Sequence, residues 1–419
     1  MNQTQSKLFS KDFTLVVIGQ IISLFGNAGV RFVLTLYLLN QTGSSVLYGL
    51  VTACAFIPTI LMSPIGGIVA DRVNKRNIMV VLDFFTAGVI LGFSFLMGSV
   101  NLLVLMTVTL MILYGIAGAY QPSVQASVPA LVEKEHFMAA NSVINTISSL
   151  ASLLGPVLGG ILYSAYGLKP VLWICSVCFL VSAVMEIFIK IPFVKKENGE
   201  ESNTNIRTMI KSDFAESIAF IRKEKPAIGK GMLVICSINL FLASMIIVGL
   251  PYMITEVLPF DSALANRLCG YAEGALAAGG LAGGISAGIF AGKLTIRKAG
   301  YLIIAAGCCV LPMGIVPVFS SSGMVNYMVI IVCCFGCMVC STIFTVQMMS
   351  FVQAETPAHL IGKVIAVIFT ISMCAQPVGN ALYGVLFALC KGFEFAVILF
   401  AAVVSIGIAV WAKKVFGNF

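Results

Sequence analysis

The sequence predicts an all-α membrane protein of twelve crossing helices in two six-helix, pseudo-symmetric bundles, and three observations carry that reading. Hydrophobic residues make up 59% of the 419-residue chain, charged residues only 10%, and mean hydropathy is +1.03; a soluble domain carries about 25% charged residues. The apolar runs approach the roughly 20 residues a helix needs to cross a bilayer. They do not alternate at the period of two that an outer-membrane barrel requires. The third observation is internal repetition. Gly67 to Arg76 aligns with Gly288 to Arg297 at an offset of 221, and Glu133 and Pro156 correspond to Glu355 and Pro377. An even number of spans separates each pair, so both halves share one orientation, with a midplane site between them.

The first bundle occupies residues 1–191, with spans near 13–39, 45–70, 78–98, 101–124, 140–166 and 169–191. Turn chemistry separates them at Gln41-Thr42-Gly43-Ser44-Ser45 and Tyr166-Gly167-Leu168-Lys169-Pro170. The second bundle occupies 229–419, with spans near 229–255, 268–292, 300–320, 324–352, 364–390 and 392–412, and a polar break at Ser320-Ser321-Ser322-Gly323. Residues 192–228 form a linker. It opens with the polar run Lys195-Lys196-Glu197-Asn198-Gly199-Glu200-Glu201. It continues with Ile206, Met209, Ile210, Phe214, Ile218 and Ile221 at helical spacing, a pattern that predicts an amphipathic helix on the inner membrane surface.

Charge orients the chain. Of its 25 Lys and Arg residues, all but Lys169, Arg267, Lys391 and the in-span Arg31 fall in segments on the side of both termini. That side is therefore expected to be cytoplasmic. The net charge of +8 is accounted for by loops facing anionic lipid, with no nucleic-acid partner needed. The polar start, Met1 to Asp12, runs into a span too long for a signal h-region, so the first span is expected to remain as an anchor. Cys333, Cys334, Cys337 and Cys340 form a cluster read as small packing residues rather than a metal site. No Walker-type loop and no helical His-Glu-x-x-His pattern is present. Neither catalysis, a metal nor a cofactor is expected, and ATP-driven work by this chain alone is disfavoured.

The tight turn Gly66-Gly67-Ile68-Val69-Ala70-Asp71-Arg72-Val73-Asn74-Lys75-Arg76 places a carboxylate and several cations between two apolar spans. Its Gly-x-x-x-Asp-Arg-x-x-Lys-Arg pattern resembles the signature loop of the major facilitator superfamily. Gly155-Pro156-Val157-Leu158-Gly159-Gly160 in the fifth span resembles the motif of that superfamily's antiporter branches. With Gln41-Thr42-Gly43-Ser44, Ala140-Asn141-Ser142 and Gly362-Lys363-Val364, nearly the whole chain is similar to the drug-exporter group that contains macrolide-efflux proteins and the enterobactin exporter. The resemblance implies the major facilitator fold and a bacterial inner membrane. It also implies a monomeric secondary transporter that exports amphiphilic drugs, macrolide-like compounds or siderophores in exchange for protons. The alternatives are a uniporter or importer of a small metabolite, and a non-transporting membrane sensor.

Roles follow on these positions. Asp71 is expected to face the start of the eleventh span at Gly362 and Lys363, where a helix N-terminus favours negative charge. Arg72 and Arg76 are expected to hold Asp71 and Asp83, so that Gly67, Asp71, Arg72, Arg76, Asp83, Gly362 and Lys363 form an inner latch. Gly155, Pro156, Gly159 and Gly160 are expected to slide against the eighth span at Gly280 and Gly284. Arg31 and Glu273, costly at lipid depth, are the coupling candidates. They are expected to pair, exchange partners or carry the proton, since Asp83 and Glu186 are read as lying near the inner surface within reach of water. Asn27, Gln121, Gln125, Asn145, Asn239, Gln347, Gln376 and Asn380 are the candidate cavity amides, suited to a bulky amphiphilic small-molecule substrate. The fourth-span arginine common in other proton-coupled drug exporters is absent, and Leu113-Tyr114-Gly115-Ile116 occupies that region.

Overall fold

A computed structural model of the chain describes residues 10–133, 137–191, 206–290, 296–357 and 360–416. Six helices come first: α1 (Lys11–Thr42), α2 (Ser45–Arg72), α3 (Lys75–Leu96), α4 (Leu102–Leu131), α5 (Phe137–Tyr166) and α6 (Leu168–Ile187). The amphipathic α7 (Ile206–Lys223) follows. One rod, Pro226–Val257, is then built from α8 (Pro226–Ile238) and α9 (Ser244–Tyr252), with π-helical turns at Asn239–Ala243 and Met253–Val257. The chain ends with α10 (Ser262–Ile289), α11 (Ala299–Phe319), α12 (Gly323–Glu355), α13 (Ile361–Leu389) and α14 (Glu394–Phe416). Eleven of these rods are long and apolar enough to cross a membrane. The 28-residue α10, rich in Gly and Ala, is the twelfth long helix. The fold is the all-α arrangement that the repeats and long apolar runs predict.

Local chemistry sets the element ends. The Asn74 side chain accepts from the Arg76 amide at the start of α3, and Asn101 accepts from Leu103 and Val104 at the start of α4. Each amide oxygen satisfies N–H groups that the first turn of a helix leaves open. Between α1 and α2, and between α5 and α6, the chain reverses through Gly43 (φ 56) and Gly167 (φ 74). That left-handed geometry favours residues without Cβ.

The chain divides into two compact units: Met1–Thr42, Cys54–Glu197 and Asp261–Gly274 in one, Gly43–Ala53, Asn198–Phe260 and Ala275–Phe419 in the other. In unit 1, α1 packs on α5 and α6 while α3 packs on α4 and α6. A core of Phe13, Val16, Met79, Val124, Val128 and Ile144 fills one part of it. In unit 2, α11 packs on α12 and α14, and α13 lies along the α8–α9 rod. The outward faces carry large apolar side chains, among them Val81, Phe95, Val332 and Val403, each more than 60% exposed. In water such a surface would aggregate, whereas in a bilayer it is the lipid-facing side.

The apolar stripe of α7 is turned into unit 2, which modifies the expectation of a helix lying freely on the membrane surface. Phe220 and Ile221 are buried in a core with Ile228, Phe344, Met348 and Val364, and Ile218 packs against it. Two ion pairs fasten this region, Lys363 to Glu216 at 2.8 Å and Lys225 to Glu355. Ile206, Met209 and Ile210 have side chains outside the described set, as does the linker before them.

Glycines permit close helix approach in both units. In unit 1 a Cβ on Gly160 would lie 2.8 Å from the Asn266 carbonyl, and one on Gly270 would lie 2.6 Å from that of Pro156. In unit 2 a Cβ on Gly384 would lie 2.7 Å from the Ser45 carbonyl, and one on Gly49 would lie 2.4 Å from that of Asn380. Ser45 and Gly49 stand at the same offset of 221 from Asn266 and Gly270 that relates the two halves of the sequence. The repeat is thus a repeat of packing, and each clasp leaves no room for a side chain.

Candidate functional site

The motif Gly155-Pro156-Val157-Leu158-Gly159-Gly160 divides its work between two neighbours. Gly155 and Gly159 face α1, where added Cβ atoms would meet Ala28 and Val33. Gly160 and the Pro156 carbonyl face α10 at Gly270, and Val157 lies over Gly274. The expected partners Gly280 and Gly284 are therefore corrected to Gly270 and Gly274. Gly284 has nothing within 4 Å of an added Cβ, and Gly280 meets only Thr342 and Met338 at ordinary contact distance. Helical phase is the reason. Nine residues separate Gly270 from Gly279, which at about 100° per residue turns the second glycine group to the opposite face. There Gly279 and Gly283 pack on Phe335 and Val339 of α12.

Unit 2 contains a cavity of about 280 Å³ lined by Asn239, Leu242, Ile246, Met338, Thr342, Thr345 and their neighbours. Its wall includes the π turn Asn239–Ala243, where one extra residue per turn widens the helix. Such turns concentrate at functional positions. Asn239 Nδ2 donates to the Ser372 carbonyl at 3.1 Å, and the Ser244 hydroxyl lies within hydrogen-bond distance of the Asn239 and Gln376 carbonyls at 2.8 and 3.2 Å. The lining is apolar with a few hydroxyl and amide groups, the composition of a small-molecule pocket.

Of the seven expected cavity amides whose side chains are described, Asn239 is the one in this wall. Asn27 instead accepts from Arg31 at 3.4 Å, Asn145 is exposed, and Gln347 and Asn380 are buried. Gln121 and Gln376 are half-buried. Spacing along a helix identifies polar residues but not the neighbour each one faces. Ser341, Thr342 and Thr345, at helical spacing in an apolar helix, are the cavity groups that the sequence reading passed over.

Arg31 lies over the ring of Tyr114 with its guanidinium carbon 3.4 Å from the centroid. No ion pair joins it to Glu273, so the expected pairing is corrected. A planar guanidinium finds a desolvated partner in an aromatic face, worth about 0.5 to 2 kcal/mol. Glu273 is half-buried on α10.

Of the expected latch residues, Arg76, Asp83 and Lys363 are described, and each has other partners. Arg76 contacts Asn77 Oδ1 at 3.0 and 3.2 Å and the Ile187 carbonyl at 3.5 Å, not Asp83. Lys363 pairs with Glu216 of α7. Gly67, Asp71, Arg72, Gly362 and the cavity candidate Gln125 lie outside the residues whose side chains are described.

Asp83 belongs to a different constellation inside unit 1. The Ser23 hydroxyl donates to its Oδ1 at 2.9 Å, and Ser182 lies beside it with its hydroxyl donating to the Gly19 carbonyl at 3.1 Å. Tyr120 donates to Glu186 Oε1 at 2.8 Å and accepts from the Gln20 amide at 2.7 Å. Asp83 is 2% exposed and Glu186 and Gln20 are 0% exposed. The expectation that water reaches both carboxylates is therefore corrected. The signal was present in the sequence, since Gln20 and Ser23 stand three apart on α1, and Ser182 and Glu186 four apart on α6, so each pair shares a helix face. Among the described residues no group of three or more His, Cys, Asp or Glu is placed to hold a metal ion.

Long apolar rods, an internal repeat and a pocket beside a π-widened helix mark a polytopic membrane protein. The chain belongs to the Major Facilitator Superfamily, whose family model matches residues 16–380. It is similar to the uncharacterized MFS-type transporter YfiS of Bacillus subtilis (strain 168), at 26% identity over 380 residues, 90% of this chain and 87% of that protein. Macrolide efflux protein A of Streptococcus pyogenes is 22% identical over 214 residues, 51% of this chain and 52% of its own length. The chain thus spans about half of that relative. Among solved structures, the nucleoside transporter NupG superposes with a TM-score of 0.77 at 11% identity, covering 97% of this chain and 100% of its own. A bacterial homologue of the iron transporter ferroportin gives 0.69 at 18% identity, covering 95% and 98%. At these identities the structures share the fold. The chain is a multi-pass membrane transporter for small-molecule substrates, and its named relatives are transporters.

Proposed function

We propose that this protein exports bulky amphiphilic compounds, macrolide-like in size and character, by alternating access in exchange for protons. The observation that carries the reading is the cavity at the π turn of the α8–α9 rod. It has mostly apolar walls, and Asn239, Ser341, Thr342 and Thr345 are its polar points. Such an apolar lining with scattered polar points suits an amphiphile better than a small anion. Similarity to macrolide efflux protein A and to the multidrug resistance protein MdtG of Salmonella typhi, 31% identical over 166 residues, supports the same substrate class. Glu273, half-buried on the α10 that clasps α5, is assigned the exchanged proton. Asp71, at the end of α2, is assigned the inner latch.

The test is efflux from proteoliposomes under an imposed pH gradient, with a macrolide and a chemically unrelated amphiphile as substrates. Gradient-driven flux is expected for the wild type. Ala243→Phe, which fills the cavity, is expected to cut that flux at least tenfold at unchanged protein abundance. Glu273→Gln is expected to abolish the gradient dependence while leaving counterflow. Flux indifferent to pH would replace exchange with facilitated diffusion. Binding with no flux at all would make the protein a sensor.

A further inference from the structure

We propose that the groove between α11 and α14 of unit 2 binds one anionic glycerophospholipid, its phosphate held among Arg297, Lys413 and Lys414 and an acyl chain lying along Gly407. The site shares no residue with the cavity at the π turn and does not depend on which substrate is transported.

Sequence supplies the charge. Residues 291–301 and 396–419 contain Lys293, Arg297, Lys298, Lys413 and Lys414, and neither segment contains an Asp or Glu. The fold brings the two segments together. A Cβ on Gly300 would lie 2.7 Å from the Lys413 Cα, so the missing side chain lets the end of α14 rest on the start of α11. From there the Lys413 ammonium reaches over the Tyr301 ring, 4.5 Å from its centroid. Arg297 precedes Tyr301 by four positions, and Arg297, Lys298, Lys413 and Lys414 are all exposed.

Helical phase sets an apolar groove beside these cations. The approaches of Gly300 to Lys413, Gly307 to Ile406 and Gly314 to Leu399 run in opposite directions along the two helices, so the pair is antiparallel. Rotation in the same sense from that contact line leads to Tyr301 and Cys308 on α11 and to Val403, Gly407 and Val410 on α14, on one side of the pair. All five are exposed. A Cβ on Gly407 would meet nothing within 4 Å, which leaves a notch about 10 Å along the axis from Lys414.

Cations at one end of an exposed apolar groove match a lipid better than a free anion, which would use the charges and leave the groove empty. Guanidinium and ammonium groups together hold a phosphate, and basic pockets between membrane helices take anionic headgroups. Tyr301 and Trp411, 54% and 41% exposed, stand at the same end as the cations, where amphipathic rings favour the headgroup layer. A zwitterionic lipid brings an ammonium of its own, which this acid-free cluster repels.

Trp411 lies four residues from Gly407, and Trp173 is the other tryptophan of the chain. The test therefore uses the full chain carrying Trp173→Phe, reconstituted in phosphatidylcholine bilayers, with Trp411 fluorescence read as lipid brominated on its acyl chains is added. Brominated phosphatidylglycerol is expected to quench saturably, at a mole fraction at least tenfold lower than brominated phosphatidylcholine needs for the same quenching. Arg297→Gln, Lys413→Gln and Lys414→Gln combined are expected to abolish this preference, and Gly407→Leu, with the cations retained, to weaken it at least threefold. Removing three exposed cations elsewhere, by Lys11→Gln, Arg222→Gln and Lys223→Gln, is expected to preserve it. Equal quenching by the two lipids would overturn the proposal and make the groove ordinary lipid-facing surface. Loss of the preference in the second triple variant, or its full retention in the first, would overturn it as well. The readout does not involve transport, so a failed efflux assay and a failed lipid site are separate results.

Discussion

Arg31 shows how a half-buried cation is accommodated by an aromatic ring and an amide. Its guanidinium rests on Tyr114 and donates to Asn27 one turn away. The arrangement spares α1 a second charge at lipid depth, where a lone ion is expensive. It also changes what neutral substitutions should do. Sites without a shared contact contribute additively, within about 0.3 to 0.5 kcal/mol. Transport losses in Arg31→Gln and Glu273→Gln are therefore expected to multiply in the double variant, measured as rates at equal surface abundance. Recovery in the double variant would show a functional pair that forms in another state of the cycle. Both residues stand out in the sequence because ionisable groups are rare in spans. What each one touches was not legible, because a contact between helices depends on rotation about both axes.

At the scale of elements, the small-residue motif of α5 is a two-sided bearing. Gly155 and Gly159 admit α1, and Gly160 with the Pro156 carbonyl admits Gly270 of α10. A methyl on Gly270 would sit 2.6 Å from a backbone oxygen, which cannot move without shifting the helix, while one on Gly284 would meet nothing within 4 Å. Overpacking of this kind costs about 1 to 3 kcal/mol, whereas Gly to Ala in an open helix position gains up to about 1 kcal/mol. Gly270→Ala is accordingly expected to lower the thermal unfolding temperature in detergent, and Gly284→Ala to leave it unchanged or raise it. Equal effects would remove the clasp from the account. The presence of glycines on α10 is plain from sequence, but which of its two faces meets α5 is decided by helical phase.

The whole molecule repeats itself at an offset of 221, and the clasps at Gly49 with Gly384 and Gly160 with Gly270 carry that repeat into packing. Charge asymmetry is expected to orient the array. Single cysteines placed near Gly199 and Gly323 in a cysteine-reduced variant are expected to label from opposite faces of the membrane, with Gly199 on the cytoplasmic side. Labelling of both from outside would overturn the topology. An impermeant maleimide applied to intact cells and to inverted vesicles makes the measurement.

Composition and periodicity by themselves determined the class, the number of spans and the repeat, because the bilayer imposes length and hydrophobicity on every crossing segment one at a time. They also located the chemistry-bearing types, among them the Gly-Pro-x-x-Gly-Gly run of α5, the Asp71 turn and Arg31. Only the tertiary structure decided partnership. It placed Asp83 with Ser23 and Ser182 rather than Arg76, and Arg31 on Tyr114 rather than on Glu273. It also placed a cavity amide, Asn239, at a π turn whose extra residue leaves no mark in an apolar sequence. The reason is physical: insertion into lipid is a property of each helix, whereas a buried polar contact is a property of two helices and the angle between them.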